Sequence, residues 1–256
     1  MLLTPLEQFQ IISLLPVTFL SLDFSFTNLL LINIVTLIFF VIIVYFLSSD
    51  INYLGNISFY LVPNNWQIFI ETVYDVVSQL LFDNINLEGE KYFPYISMIF
   101  IFILFSNLIG LIPYSFTVTS HMVVTFTLSF SIFIGVNIIG FKRHSVFMLS
   151  LIIPANSTFT LALILVPIEF LSYIAKPISL GVRLFINLMA GHTLLKVIIG
   201  FAWSMLLLED LLALMHLVPL FLLVILMGLE LGVALIQAYV FTILTCIYLN
   251  DSINLH

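Results

Sequence analysis

The chain has 256 residues, of which 62% are hydrophobic and 7% charged. An ordinary soluble domain carries roughly 25% charged residues, so most of this surface must face something other than water, and lipid is the natural neighbour. Thirteen acidic residues against six basic ones give a net charge of -7, which argues against binding nucleic acid or an anionic lipid surface through charge and disfavours catalysis on phosphates.

The single cysteine, Cys246, excludes an internal disulfide and a multi-thiolate metal site. No Lys or Arg precedes Lys91, so the first residues carry neither the basic region of a secretory signal nor an arginine-rich transit peptide. Phe is abundant (26) and Ala numbers eight, a bias that fits AT-rich coding such as many organelle genomes have.

Leu29 to Ser48 contains no charge, and its length matches the ~20 residues a helix needs to cross a hydrocarbon core of ~30 Å. Between Trp66 and Phe82 the pattern becomes amphipathic. Trp66, Phe69, Val73, Val76, Val77 and Leu80 recur at helical spacing, with Glu71, Asp75 and Ser78 on another face. This helix is expected along an interface, and its acidic face favours packing against protein over adsorption to lipid.

Tyr92 to Phe141 is again free of charge and is interrupted by Pro113-Tyr114-Ser115, so it reads as two spans joined by a turn. Lys142 and Arg143 follow. The positive-inside tendency puts them on the inner side and, through three crossings, the N-terminus outside. Two longer apolar stretches, Phe159 to Phe201 and Leu211 to Leu249, are separated by Glu209 and Asp210. Each exceeds one perpendicular crossing, an excess that tilt, kinks or interfacial segments can absorb, with Pro167, Pro177 and Pro219 as kink sites. The expected fold is an all-α membrane protein: one polytopic domain over 1–256, about five crossings, an interfacial helix, and an inner C-terminus.

A charge in the middle of such a stretch costs about 2.5 to 3.5 kcal/mol on insertion, so each demands a reason. Arg183 is too far from either end of its stretch to snorkel and stays charged even there. It pairs either with a carboxylate of this chain, Glu230 being the obvious one, or with a partner's. Glu169, Ser172, Lys176, Ser179, Arg183, Asn187 and Ala190 fall within roughly 40° of one line on a helix, a polar stripe facing a common neighbour. Pro177 makes the phase between Glu169 and Arg183 looser than that between Arg183 and Asn187.

His192 lies close to the face opposite Arg183 and about 13 Å farther along the axis. It is either a satisfied core histidine or a proton carrier. In the last stretch Glu230 and Gln237 share a face, with His216 near the same line. Gly228 and Gly232 flank Glu230 with the small-xxx-small spacing of closely packed membrane helices. A carboxyl at Glu230, with burial against its charge and nearby His or Arg for it, is able to exchange protons; a neutral packing glutamate is the alternative. Glu169 and Asp251 sit near inner helix ends, where a solvated helix-end carboxylate explains them equally well.

The histidines His121, His144, His192, His216 and His256 form no i, i+3 or i, i+4 pair with a second ligand, and there is no Gly-rich phosphate loop or nucleophile with an evident base. No cofactor is expected, and no catalytic site of the chain's own.

The segment Leu171-Ser172-Tyr173-Ile174-Ala175-Lys176-Pro177-Ile178-Ser179-Leu180-Gly181-Val182-Arg183-Leu184, followed by Asn187, Ala190, Gly191 and His192, resembles the signature of ATP synthase subunit a. The likeness extends through Thr4 to Phe9, Ser106 to Ser115 and Glu230 to Asp251. Glu at 230 with His at 192 resembles the mitochondrial version, since many bacterial relatives carry the two residue types exchanged. The resemblance implies two long tilted C-terminal helices against a rotating ring of c subunits, each bearing a carboxylate, with Arg183 as the stator charge between two offset aqueous half-channels.

By the same resemblance His192, Asn187, Glu230 and Gln237 serve the outer half-channel and Glu169 and Asp251 the matrix one. The amide of Gln237 can equally position helices. The implied partners are the c ring, peripheral-stalk and other Fo subunits, the F1 head through the complex, the lipid bilayer and protons. The implied location is the mitochondrial inner membrane, with the N-terminus toward the intermembrane space and the C-terminus toward the matrix. Two other classes remain at this point: a haem- or quinone-binding respiratory subunit, and a non-conducting membrane scaffold.

Overall fold

The computed structural model describes residues 7–19, 22–52, 65–112, 116–145, 159–206 and 217–254. Six helices carry the fold: α1 Asn28–Asn52, α2 Asn65–Ile85, α3 Phe93–Gly110, α4 Met122–His144, α5 Phe159–Leu206 and α6 Leu217–Ile253. Four described stretches are long and apolar enough to cross a membrane: Gly89–Gly110, Met122–His144, Leu163–Leu206 and Leu217–Ile253. The expected first span lies within α1, whose described apolar part is Asn28–Phe39. The chain is an all-α membrane protein.

Its exposed surface is what that class requires. Leu163, Leu171, Phe221 and Val218 are 67%, 67%, 68% and 70% exposed, a state that only lipid or a partner subunit makes favourable. Conversely, small polar side chains lie inside: Thr125, Ser129 and Thr242 are buried, and their hydroxyls donate to the carbonyls of Met122, Phe126 and Tyr239 in the preceding turn. That bond engages the hydroxyl within its own helix and leaves a small profile for packing.

The chain divides into two compact units. The first is Met1–Leu61, Ile101–His121 and Leu184–Ala238. It opens with four short strands in two antiparallel pairs, β1 Ser13–Leu15 with β4 Phe26–Thr27 and β2 Thr18–Phe19 with β3 Leu22–Asp23. The sequence reading made no strand prediction here, although the run from Leu20 to Thr27 alternates apolar and polar residues, because strands of two or three residues fall below the roughly four to eight over which alternation is read. Thr27 and Asn28 join them to α1. The Thr27 hydroxyl accepts from Leu30 N–H at 3.4 Å, the Asn28 side chain accepts from Ile12 N–H at 3.2 Å, and its amide donates to the Gln10 carbonyl at 3.1 Å. Thr27 thereby serves as an N-cap. Farther along α1, Phe39 meets Phe105 of α3 edge-on, centroids 5.6 Å apart.

The second unit is Val62–Phe100, Met122–Arg183 and Tyr239–His256. Its α2 buries Val77, Leu80, Leu81 and Ile85 and exposes Glu71 and Asp75, the amphipathic helix expected there. Val76, assigned by its spacing to the apolar face, is instead 39% exposed, because at 100° per residue it projects away from the line of Val77, Leu80 and Leu81. The side chains of Trp66 and Phe69 lie outside the described residues. Helix α4 ends on Lys142, Arg143 and His144, cations that complement the dipole at a helix C-terminus, and Ser145 takes φ 52° in the left-handed region that closes such ends.

Pro167 and Pro177 both lie inside α5, which continues through them, and Pro219 falls in the first turn of α6, where a missing N–H is harmless. The turn at Pro113-Tyr114-Ser115, the acidic pair Glu209-Asp210, and His216 and His256 lie outside the described residues, as does the start of the Thr4 to Phe9 motif.

Candidate functional site

Helix α5 supplies the charges, and its packing decides where they point. In the part ending at Arg183, Pro177, Leu180 and Gly181 are buried while Ser172, Ser179 and Arg183 are exposed. In the part beginning at Leu184, Leu184 and Leu188 are buried while Asn187 and Ala190 are exposed. The buried positions repeat at three to four residues, and the polar stripe is the opposite face. Gly181 permits the close packing on its side: a Cβ there would lie 2.8 Å from Ser129 Oγ and 3.2 Å from the Thr125 carbonyl of α4. Arg183 therefore points away from the chain's own core. Among the described residues it forms no ion pair or hydrogen bond, and within its own unit the phenol of Tyr248 lies in its electrostatic range.

In the second unit, Lys176 Nζ forms an ion pair with Asp251 Oδ2 at 3.2 Å. The Lys176 ammonium also sits 5.0 Å from the Tyr248 ring centroid and 5.8 Å from that of Tyr173. Tyr173 donates its hydroxyl to Asn137 Oδ1 on α4. His144 Nε2 donates to the Ile253 carbonyl at 2.8 Å, tying the end of α6 to α4. Glu169 is half-buried, with Oε2 enclosed and without a hydrogen-bond partner among the described residues.

In the first unit, Asn187 of α5 donates through Nδ2 to Gln237 Oε1 of α6 at 2.9 Å. Three residues before Gln237, the Ala234 carbonyl accepts from the buried Asn107 amide at 3.3 Å. Glu230 packs over Gly191: a Cβ at Gly191 would lie 2.7 Å from Glu230 Oε1, so any larger residue there must displace the carboxyl. Glu230 Oε1 and His192 Nε2 are each enclosed without a protein hydrogen-bond partner among the described residues. Enclosed polar atoms of this kind are exceptions in a packed core, where most buried polar groups are paired.

The structure thus joins Asn187 to Gln237 and Asp251 to Lys176, and seats Glu230 against Gly191. Sequence reading missed Asn107, Asn137 and Tyr173 as polar partners, and Lys176 as more than a stripe residue. Among the described residues of this chain a Cβ at Gly228 or Gly232, noted for their small-xxx-small spacing, meets no atom within 4 Å, whereas Gly191 and Gly181 on α5 hold close contacts. The position of Gly191 directly before His192, within the signature segment, was the one sequence signal of this.

Long apolar helices with buried polar partners, and an exposed arginine that forms no ion pair among the described residues, define a polytopic membrane protein. The sequence model of the ATP synthase A chain matches residues 29–250. The chain is 48% identical over 256 residues to ATP synthase subunit a of Chondrus crispus, covering 99% of this chain and 97% of that one. It is 49% identical to that of Marchantia polymorpha (99% and 99%) and 51% identical over 253 residues to that of Pylaiella littoralis (99% and 99%). The chain belongs to the ATP synthase subunit a family.

Proposed function

We propose that this chain is the proton-channel stator subunit of an F-type ATP synthase Fo sector in the mitochondrial inner membrane. It acts as a single polytopic domain with its N-terminus toward the intermembrane space and its C-terminus toward the matrix. The observation that carries the reading is Arg183: a permanent charge, on an apolar helix, exposed on a polar face and unpaired within the described residues. A charge held within a bilayer is costly unless a counter-charge is supplied, and a partner can supply it.

That partner is a ring of c subunits, each bearing a carboxylate. A deprotonated ring carboxylate is attracted to Arg183; a protonated one is neutral and enters lipid at lower cost. Turning the ring past Arg183 therefore requires one protonation and one deprotonation, and the two must draw on opposite compartments. His192, Glu230, Asn187 and Gln237 serve the outer half-channel, where the enclosed carboxyl and imidazole pass protons and the amide pair fixes the helices. Glu169 and Asp251 serve the matrix half-channel. Arg183 separates the two, since a continuous path would dissipate the gradient without rotation. Peripheral-stalk subunits hold the chain against the ring's torque, and the F1 head makes ATP.

The test is Arg183→Ala in the assembled complex. The chain should still insert and co-purify with the c ring, while gradient-driven ATP synthesis is abolished. Normal coupled synthesis in that variant would sink the reading. Arg183→Lys should also fail substantially, because an ammonium lacks the planar guanidinium fork and loses its proton more readily when desolvated.

A further inference from the structure

We propose that Lys176 is a positioning residue of the matrix half-channel, its ammonium holding the Asp251 carboxylate at the wall of a cavity large enough for one water molecule. The inference rests on the proposed proton path and adds to it a residue with a specific duty. The Lys176 side chain is 33% exposed and that of Asp251 43%, so both sit at the border of the packed interior rather than on an open surface. Two aromatic rings restrict the ammonium: Tyr248 at 5.0 Å and Tyr173 at 5.8 Å from their centroids. Tyr173 is itself fixed, by its hydroxyl on Asn137 and by Phe133 against its ring, centroids 5.0 Å apart. Asp251 is fixed from the other side, because His144 holds the Ile253 carbonyl two residues beyond it.

Phe133, Tyr173, Lys176, Tyr248, Asp251 and Ser252 line a cavity of about 20 Å³. Roughly 10 to 15 Å³ suffices to hold a water when polar partners are present, as they are here. The ammonium engages Oδ2 of Asp251, which leaves Oδ1 as the oxygen that accepts a proton. A proton released by a ring carboxylate then forms an O–H bond at Asp251 and leaves it for water on the inner side, one O–H bond breaking for each that forms. Lys176 takes no part in the transfer itself, so its role is placement: a transfer oxygen displaced by about 1 Å can cost roughly 100-fold in rate.

The alternative is that the pair merely fastens α5 to α6. Gradient-driven ATP synthesis per assembled complex, measured in inverted inner-membrane vesicles, separates the two. Lys176→Met should lower it by about tenfold or more, Lys176→Arg should restore most of it, and adding Lys176→Met to Asp251→Asn should cause little further loss, since contacting residues on one path are not additive. A fastener would reduce the amount of assembled complex while leaving turnover per complex within about twofold of normal; that result overturns the proposal, as do losses that multiply in the double variant. Should Lys176→Met fail to assemble, Tyr248→Leu removes one confining ring and keeps the charge; it should slow synthesis several-fold, and normal turnover there overturns the proposal as well. Arg183→Ala, run alongside, reports on the proton path itself: its inactivity with a normal Lys176→Met rate would remove Lys176 alone.

Discussion

At Gly191 a hydrogen atom stands where any other residue would place carbon 2.7 Å from Glu230 Oε1. Gly191→Ala must therefore push the carboxyl or part the helices. Proton-driven ATP synthesis should fall by roughly tenfold or more, on the reasoning that a transfer group displaced by about 1 Å loses much of its rate. Purified complexes checked for chain content would distinguish this from loss of assembly, and an unchanged rate would show that Glu230 has room elsewhere. The individual residues were legible in sequence for a physical reason: Arg183, Glu230, His192 and Asp251 stand out because apolar helices make each polar group expensive. Their pairings were not. Helical phase puts Asn187 and Arg183 near one line, but no spacing rule says that Asn187 meets Gln237, or that Lys176 meets Asp251 75 positions away.

For the elements, periodicity and charge-free length located α1, α3, α4, α5 and α6 to within a few residues, and the alternation of Glu71 and Asp75 with apolar residues located α2. The strands before α1 escaped because they are two or three residues long and paired by backbone bonds that any side chain permits. Between α3 and α4, His121 stacks on Phe116 with ring centroids 4.8 Å apart. Burial pushes its pKa below the ordinary 6.5. The unfolded chain then binds this proton more readily than the folded one, so the stability His121 contributes is complete above that value and is lost as pH falls through it. Backbone hydrogen exchange at 116–122 in lipid should therefore be faster at about pH 5.5 than at about pH 7.5, and His121→Gln should flatten the difference. Equal exchange at both pH values in the unaltered chain would contradict this placement of the imidazole.

For the whole molecule, membership in the ATP synthase subunit a family and an Arg183 left unpaired among the described residues underlie the proposal of two paths that open to opposite compartments and never join. Within α5 the stripe that carries Glu169 also carries Arg183, about 21 Å farther along the helix. His192 belongs to the stretch beyond, beside Lys196 one turn on. Composition already excluded a water-soluble domain, and the signature around Arg183 pointed to the family; which compartment each carboxylate or imidazole meets is not a property that helical spacing encodes. It can be read by chemistry. With the buried native Cys246 first replaced, single cysteines at His192 and at Glu169 should react with a membrane-impermeant thiol reagent from opposite faces of the intact inner membrane, His192→Cys from the intermembrane side and Glu169→Cys from the matrix side. Labelling of both cysteines from the same side would contradict the two separated half-channels, even if Arg183 proved essential.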